Sequence, residues 1–252
     1  DDDGHRILPP AYARRPGFIF PLTPITNVGV DSVALDPNTP ESIDILKQQT
    51  RTGLDHGQCQ GLIAALTRGY DLIQGPPGTG KSYVGVKLVQ ALLEVKRKAE
   101  LGPIVVICYT NHALNQFLKH LLDVGIQKII RIGGRSQATE LEGKNLRLVS
   151  KGIGKTRTES QTLGKSYDHL EDSTNLREDI NAVHQEANRR ALIQAEVVGI
   201  TTTTLAHHIE TLHRLGTKAI ICEEVAEVME AHVTSALMPG VEHFIQIGVI
   251  AN

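Results

Sequence analysis

Two stretches of this chain carry residue types and spacings that could do chemistry. The first is Gly75-Pro76-Pro77-Gly78-Thr79-Gly80-Lys81-Ser82, which fits the phosphate-binding spacing G-x-x-x-x-G-K-[ST]. Gly78 and Gly80 permit backbone conformations that a Cβ would forbid, so successive N–H groups can converge on phosphate oxygens. The helix that follows adds its positive end. Lys81 would reach the β- and γ-phosphates as a point charge, and the Ser82 hydroxyl would ligate Mg²⁺. The second stretch is Lys218-Ala219-Ile220-Ile221-Cys222-Glu223-Glu224, an apolar strand ending in paired acids. In this pattern one carboxylate holds Mg²⁺ and its neighbour positions a water, which assigns Glu223 to the metal and Glu224 to the water. The competing reading is that the two acids simply open the next helix, where its positive end favours them.

Elements around the first stretch support the phosphate reading. Leu72-Ile73 is a short apolar strand leading in. Val84, Leu88, Val89, Leu92 and Leu93 recur at helical spacing leading out. Strand, glycine loop and helix together make an ordinary Gly-Pro turn a poor explanation. The ligand implied by the two stretches is a magnesium nucleotide, which the resemblance described below implies is ATP.

Further along, Pro103 to Cys108 is a nearly unbroken β-branched run, as expected of a strand buried on both faces of a parallel sheet. It ends in Tyr109-Thr110-Asn111-His112, at the strand end where open α/β sheets bind ligands. That turn could equally be solvated, with Thr110 or Asn111 as an N-cap. Leu114, Phe117, Leu118, Leu121 and Leu122 then line one side of a helix. Lys128–Ile132, Val197–Ile200 and His243–Ile247 read as further strands, 174–195 as a helix and Val228–Leu237 as another. Thr201 to Thr204 could touch phosphate or serve as β-formers and an N-cap. Asp55 and Gln58 have capping-box spacing at a helix start. The expectation is an α/β fold, a parallel RecA-like sheet with helices on both faces.

Composition narrows the function classes. The chain has 252 residues, 40% hydrophobic and 21% charged, enough for a sizeable core in one or two domains. No apolar run approaches the ~20 residues of a membrane span, and no signal peptide is evident, so an intracellular protein of nucleus or cytoplasm is expected. Three widely separated cysteines argue against a disulfide framework or a zinc site. Net charge is −2, so nucleic acid would have to be held by a local basic groove. The one basic run is 144–165, with six Lys or Arg against Glu159. It is polar and aperiodic, and reads as an insertion outside the sheet, either solvated or in contact with nucleic acid. Seven of the eleven prolines precede residue 41, which excludes a long helix there. Gly17–Leu22 and Val28–Leu35 could be short edge strands. The expected organisation is 1–50 as the tail of a preceding, partly β-rich module and a linker, 51–248 as the nucleotide-binding domain with a basic, helical insertion at about 137–195, and 249–252 as a truncated end.

Taken in order, these segments resemble superfamily 1 helicases of the kind acting in nonsense-mediated decay, and more specifically the NFX-type zinc-finger-containing helicases. The matching stretches are Leu54–Gln58, Gly75–Ser82, Cys108–Phe117, Arg131–Ser136 and Glu223–His232. Tyr109-Thr110-Asn111-His112-Ala113-Leu114 and Glu223-Glu224-Val225-Ala226-Glu227 carry the subgroup's spelling, with Glu223 and Glu227 where helicases more generally have Asp and Gln. The resemblance implies a first RecA-like domain in which Gln58 touches adenine. Thr110, Asn111 and Arg135 would lie near a single strand of RNA or DNA, and Glu227 would sense the nucleotide. It also implies partners in RNA silencing or RNA decay. The family continues beyond the counterpart of Gly248 with another motif and a second RecA-like domain supplying arginines to the γ-phosphate. The chain is therefore expected to be a truncated helicase that binds nucleotide, hydrolyses it poorly and unwinds nothing. Two other readings are a P-loop kinase and a non-catalytic interaction fragment.

Overall fold

The computed structural model describes residues 7–27, 29, 33–39, 44–134, 138–168, 174–224 and 240–249. In chain order the elements are β1 (Phe20–Pro21), β2 (Ala34–Leu35), α1 (Ile45–Thr52), α2 (His56–Thr67), β3 (Tyr70–Gly75), α3 (Lys81–Val95), β4 (Ile104–Cys108), α4 (Asn111–Asp123) and β5 (Ile129–Arg131). There follow α5 (Thr139–Glu142), α6 (Leu146–Ile153), α7 (Arg157–Asp168), α8 (Thr174–Ile193), β6 (Val197–Thr201), α9 (Thr202–His213), β7 (Ala219–Glu223) and β8 (His243–Val249). The helix expected at Val228–Leu237 lies outside the described residues, as does part of the strand expected at Val28–Leu35.

Six strands form one parallel sheet in the order β3-β8-β7-β4-β6-β5. Parallel strands need both faces covered, and the sequence of each central strand meets that demand: every residue of β4, β6 and β7 is buried. One face is covered by α2, α3 and α4 through Leu62, Leu88, Leu92, Leu114 and Phe117. The other is covered by α6, α8 and α9 through Leu146, Leu192, Leu205 and Leu212. β3 alternates exposed and buried, as an edge strand does.

Within 1–50, expected to be a tail and linker, residues 7–27 and 33–35 lie against the α3 face. Tyr12, Phe18, Phe20, Leu22 and Leu35 join the same core cluster as the α2 and α3 leucines. Phe18 and Phe20 meet edge to face at 5.2 Å, and Lys98 sits over the Phe18 ring. The prolines leave this segment extended or in short turns, so its apolar side chains reach the core without a helix.

The basic run expected to be aperiodic is helical. Asn145 caps α6 by accepting from the Arg147 N–H at 3.0 Å. Thr156 and Glu159 exchange both bonds of a capping box at the start of α7. The sequence carried that second signal as Thr-x-x-Glu, masked by the glycines between the two helices. None of its described residues belongs to a strand of the six-stranded sheet, and Asn145 makes an isolated parallel bridge to Arg131 of β5. No described helix is long and apolar enough to cross a membrane.

A fully buried histidine ties the amino-terminal segment to the sheet. His243, first residue of β8, has its Nε2 2.6 Å from the Ala65 carbonyl and its Nδ1 2.7 Å from the Tyr12 hydroxyl. A carbonyl can only accept, so Nε2 carries the proton and Nδ1 accepts from Tyr12. Burial pushes the His243 pKa down to about 4. The unfolded value is near 6.5, so the folded state holds the neutral ring and stability falls as pH drops from about 6.5 toward 4. The full effect is roughly 3 kcal/mol. A Tyr12→Phe substitution leaves the buried Nδ1 without a donor and is expected to cost about 1–3 kcal/mol. Thermal denaturation at pH 7.5 should show a midpoint lowered by several degrees. An unchanged midpoint would show the contact to be idle.

Candidate nucleotide site and the turn beyond β4

The loop between β3 and α3 is shaped as its glycines foretold. Gly78 and Gly80 have φ of 80° and 75°, the left-handed region that only glycine enters without cost. Gly80 is the N-cap of α3, so that helix points its unpaired N–H groups into the loop. Thr79 braces the loop by donating to the Pro76 carbonyl at 2.9 Å. Lys81 Nζ donates to the carbonyls of Gly75 and Pro76 at 2.8 and 2.7 Å. The ammonium group thus lies folded over the cradle, on two neutral acceptors that a triphosphate could replace.

The two acids lie at the carboxyl end of β7, which one strand, β8, separates from β3. This brings the two chemical stretches together: the Ser82 hydroxyl donates to a carboxylate oxygen of Glu223. Glu223 is 94% buried by area, with 6% exposed. Burial raises its pKa to about 7, with the neighbouring Glu224 pushing the same way and the Ser82 bond and Lys81 opposing. A buried carboxylate with a hydroxyl beside it, short of positive charge, is a donor set that fits a hard divalent cation such as Mg²⁺. Glu224 has φ of 62°, a strained conformation for a side chain with a Cβ, of the kind found where function holds the backbone.

Gln58 does two things at once. Its amide oxygen accepts from the Asp55 N–H at 3.1 Å while Asp55 accepts from the Gln58 N–H, so the capping box is formed. Its amide nitrogen donates to the Thr79 carbonyl at 3.1 Å, against the phosphate loop. A Cβ on Gly80 would fall 2.5 Å from that nitrogen and would push the Gln58 amide aside, while the φ of 75° is what calls for glycine.

Two residues of α4 also border the acid pair. Gln116 and His120 line a cavity of about 40 Å³ together with Ser82, Glu223 and Glu224, room for little more than one water. Sequence reasoning passed over both, because helical periodicity marks the apolar side of α4 and is silent about which polar residues the sheet edge meets.

At the turn after β4, the Thr110 side chain is the N-cap of α4, accepting from the Ala113 N–H at 3.1 Å. Its expected role beside a nucleic acid is thus accompanied by a structural one. Asn111 is exposed, and its Oδ1 accepts from Arg131 at 2.6 Å. Arg131 is fully buried at the end of β5. It also donates to Asn115 Oδ1 at 2.9 Å and to the Gly134 carbonyl at 2.6 Å. All three acceptors are neutral, and burial draws its pKa down. The sequence reading placed this guanidinium in a strand and in the Arg131–Ser136 stretch but gave it no role, yet it locks the β4 turn to the loop after β5. Arg135 and Glu227, both expected to take part, lie outside the described residues.

Residues 53–161 match the family described as AAA domain. Human NFX1-type zinc finger-containing protein 1 is 46% identical over 117 residues, covering 45% of this chain and 6% of that protein. The fission yeast helicase required for RNAi-mediated heterochromatin assembly 1 is 43% identical over 88 residues, 35% of this chain and 9% of that one. Regulator of nonsense transcripts 1 of Caenorhabditis elegans is 27% identical over 201 residues, 77% of this chain and 18% of that one. The resemblance to NFX-type helicases holds. This chain spans less than a tenth of the length of the first two relatives, and the stretch that matches the AAA domain family includes both the phosphate loop and the β4 turn.

Two outcomes follow from the site. The raised Glu223 pKa means that the folded chain binds a proton between pH 4.5 and about 7 that the unfolded chain has lost, so this side chain costs stability as pH rises. A Glu223→Gln variant should melt several degrees above the parent at pH 8, from a cost of roughly 3 kcal/mol, and at the same temperature at pH 4.5. Equal midpoints at both pH values would contradict it. Separately, Arg131→Lys cannot reproduce the planar fork and strands at least one part-buried acceptor. A loss of about 2–4 kcal/mol in urea unfolding is expected; a loss under 0.5 kcal/mol would show that the fork is dispensable.

Proposed function

We propose that this chain is the ATP-binding core of a superfamily 1 helicase, whose larger protein couples ATP hydrolysis to movement along a single strand of RNA or DNA. The observation that carries the reading is the hydrogen bond from Ser82 to Glu223, which puts the phosphate loop and the acid pair within reach of one ligand. Lys81 exchanges its two loop carbonyls for phosphate oxygens. The Ser82 hydroxyl and the Glu223 carboxylate hold Mg²⁺. That ion supplies charge neutralisation on the phosphates when bound. Glu224 orients the attacking water, and the strained backbone at that residue keeps it from swinging away. Gln58, pinned beside the loop, faces the adenine. The exposed amide of Asn111 and the neighbouring Thr110 contact the strand's backbone, with Arg135 assigned to the same surface and Glu227 to nucleotide sensing by resemblance.

None of the described residues gathered at the acid pair or phosphate loop is an arginine. An arginine at the γ-phosphate is worth 10³–10⁵ in rate. The chain by itself is therefore expected to bind ATP and turn it over slowly. Partners in RNA silencing or RNA decay are suggested by the two relatives whose names refer to RNAi-mediated heterochromatin assembly and to nonsense transcripts.

Binding of a fluorescent ATP analogue tests the reading. The Lys81→Ala variant should bind at least ~100-fold more weakly, as expected for loss of a charge-assisted phosphate contact. Unchanged binding would sink the assignment. Steady-state hydrolysis by the isolated chain should be near background with or without RNA; brisk RNA-stimulated turnover would show that the site is complete without an added arginine.

A further inference from the structure

Beyond the last strand of the sheet lies an open cavity of about 840 Å³, bounded by the loop after β5 and by α6, α8 and α9. Its size falls within the range of ligand sites. Its lining is cationic. Arg147 and Lys151 stand one turn apart on α6, Lys155 follows that helix, and His184 of α8 and His208 of α9 face the same space. No aspartate or glutamate is among its described lining residues. Two acids of the neighbouring helices are engaged elsewhere: Glu159 pairs with Arg190 and Glu186 with Arg189. Among the described residues, Arg147, Lys151 and Lys155 make no ion pair. A protein of net charge −2 has here concentrated unpaired positive charge in a concavity.

The cavity is also continuous with the proposed nucleic-acid surface. All strands of the sheet run in the same direction, so the loop after β5 shares a rim with the turn after β4. Only β6 separates the two strands, a span of roughly 10 Å. Hydrogen bonds join the two places. Arg131 grips Asn111 and the Gly134 carbonyl. Asn145 donates to the Gly133 carbonyl at 3.1 Å and caps the helix that carries Arg147.

We propose that this cavity is a second segment of the strand-binding track, taking the sugar-phosphate backbone of single-stranded nucleic acid as it passes from the Asn111 turn onto α6. Arg147, Lys151 and Lys155 neutralise successive phosphates. The three are exposed along an open groove, an arrangement that suits a repeating anion better than one enclosed phosphate group. Among its described lining residues there is no Phe, Tyr or Trp, so the contact proposed is to the backbone and indifferent to sequence. The proposal rests on the nucleic-acid reading of the preceding subsection and adds its site.

The test uses the full 252-residue chain, a labelled U20 oligonucleotide and a labelled dT20, and anisotropy over a salt series. Each phosphate neutralised on a single strand contributes a slope of about 0.7 in log K against log salt. The R147Q/K151Q/K155Q variant should lower the slope by about 2 and weaken binding at least ~10-fold at low salt, while its affinity for the ATP analogue is unchanged. A control, R15Q/R97Q/K98Q, removes equal charge elsewhere on the molecule and should leave the slope alone. If the parent binds the oligonucleotides and the first variant binds with the same slope, the cavity is not part of the track, although the helicase reading stands. If the parent binds ATP but neither oligonucleotide, the nucleic-acid reading fails and takes this one with it. Saturable binding of inorganic tripolyphosphate that survives Lys81→Ala and is lost in R147Q/K151Q/K155Q, with no oligonucleotide bound, overturns the proposal in favour of a small phosphorylated ligand.

Discussion

A hydroxyl from the first turn of α3 and a carboxylate at the end of β7 meet across an intervening strand, and the arrangement of the site depends on that contact. Ser82 can reach Glu223 only because β8 inserts between β3 and β7 while all three run in parallel. The insertion sets the distance between loop and acids, and parallel direction puts both on the same rim. The partly uncompensated charge of Glu223 is a cost to the fold at neutral pH and above.

A second constraint sits on the other half of the rim. Arg131 is buried against three neutral oxygens, so its charge is solvated by the protein itself. Such a group is held by geometry more than by Coulomb attraction, and each of its acceptors becomes a fixed point. The turn after β4, the first turn of α4 and the loop after β5 therefore behave as one piece. A strand lying across them would meet a preformed surface, with less ordering to be done on binding.

The helical insertion fits the same picture. Its two caps, Asn145 and the Thr156–Glu159 pair, start helices in a stretch whose composition argues for disorder. Glu159 is drawn to a pKa of about 2, chiefly by its bond to Arg190, which joins α7 to α8. The remaining cations on α6 are left facing the cavity. Local capping and one ion pair thus decide which positive charges are structural and which are available.

The phosphate loop, its helix and the acid-ended strand were determined by sequence alone, because each is a local pattern: glycine φ, helical spacing, and a β-branched run fix structure over a dozen residues. The same holds for the capping box at Gln58 and for the parallel sheet, whose doubly buried strands read as unbroken apolar runs. The tertiary structure alone decided that Gln116 and His120 border the acids, that Arg131 rather than its neighbours clamps Asn111, that the proline-rich start packs on α3, and that the basic run becomes helices enclosing a cavity. Those outcomes join residues far apart in the chain. No periodicity encodes which polar side chain a distant strand end will meet; only the strand order and the packing of the two helical layers bring such pairs within a few ångströms.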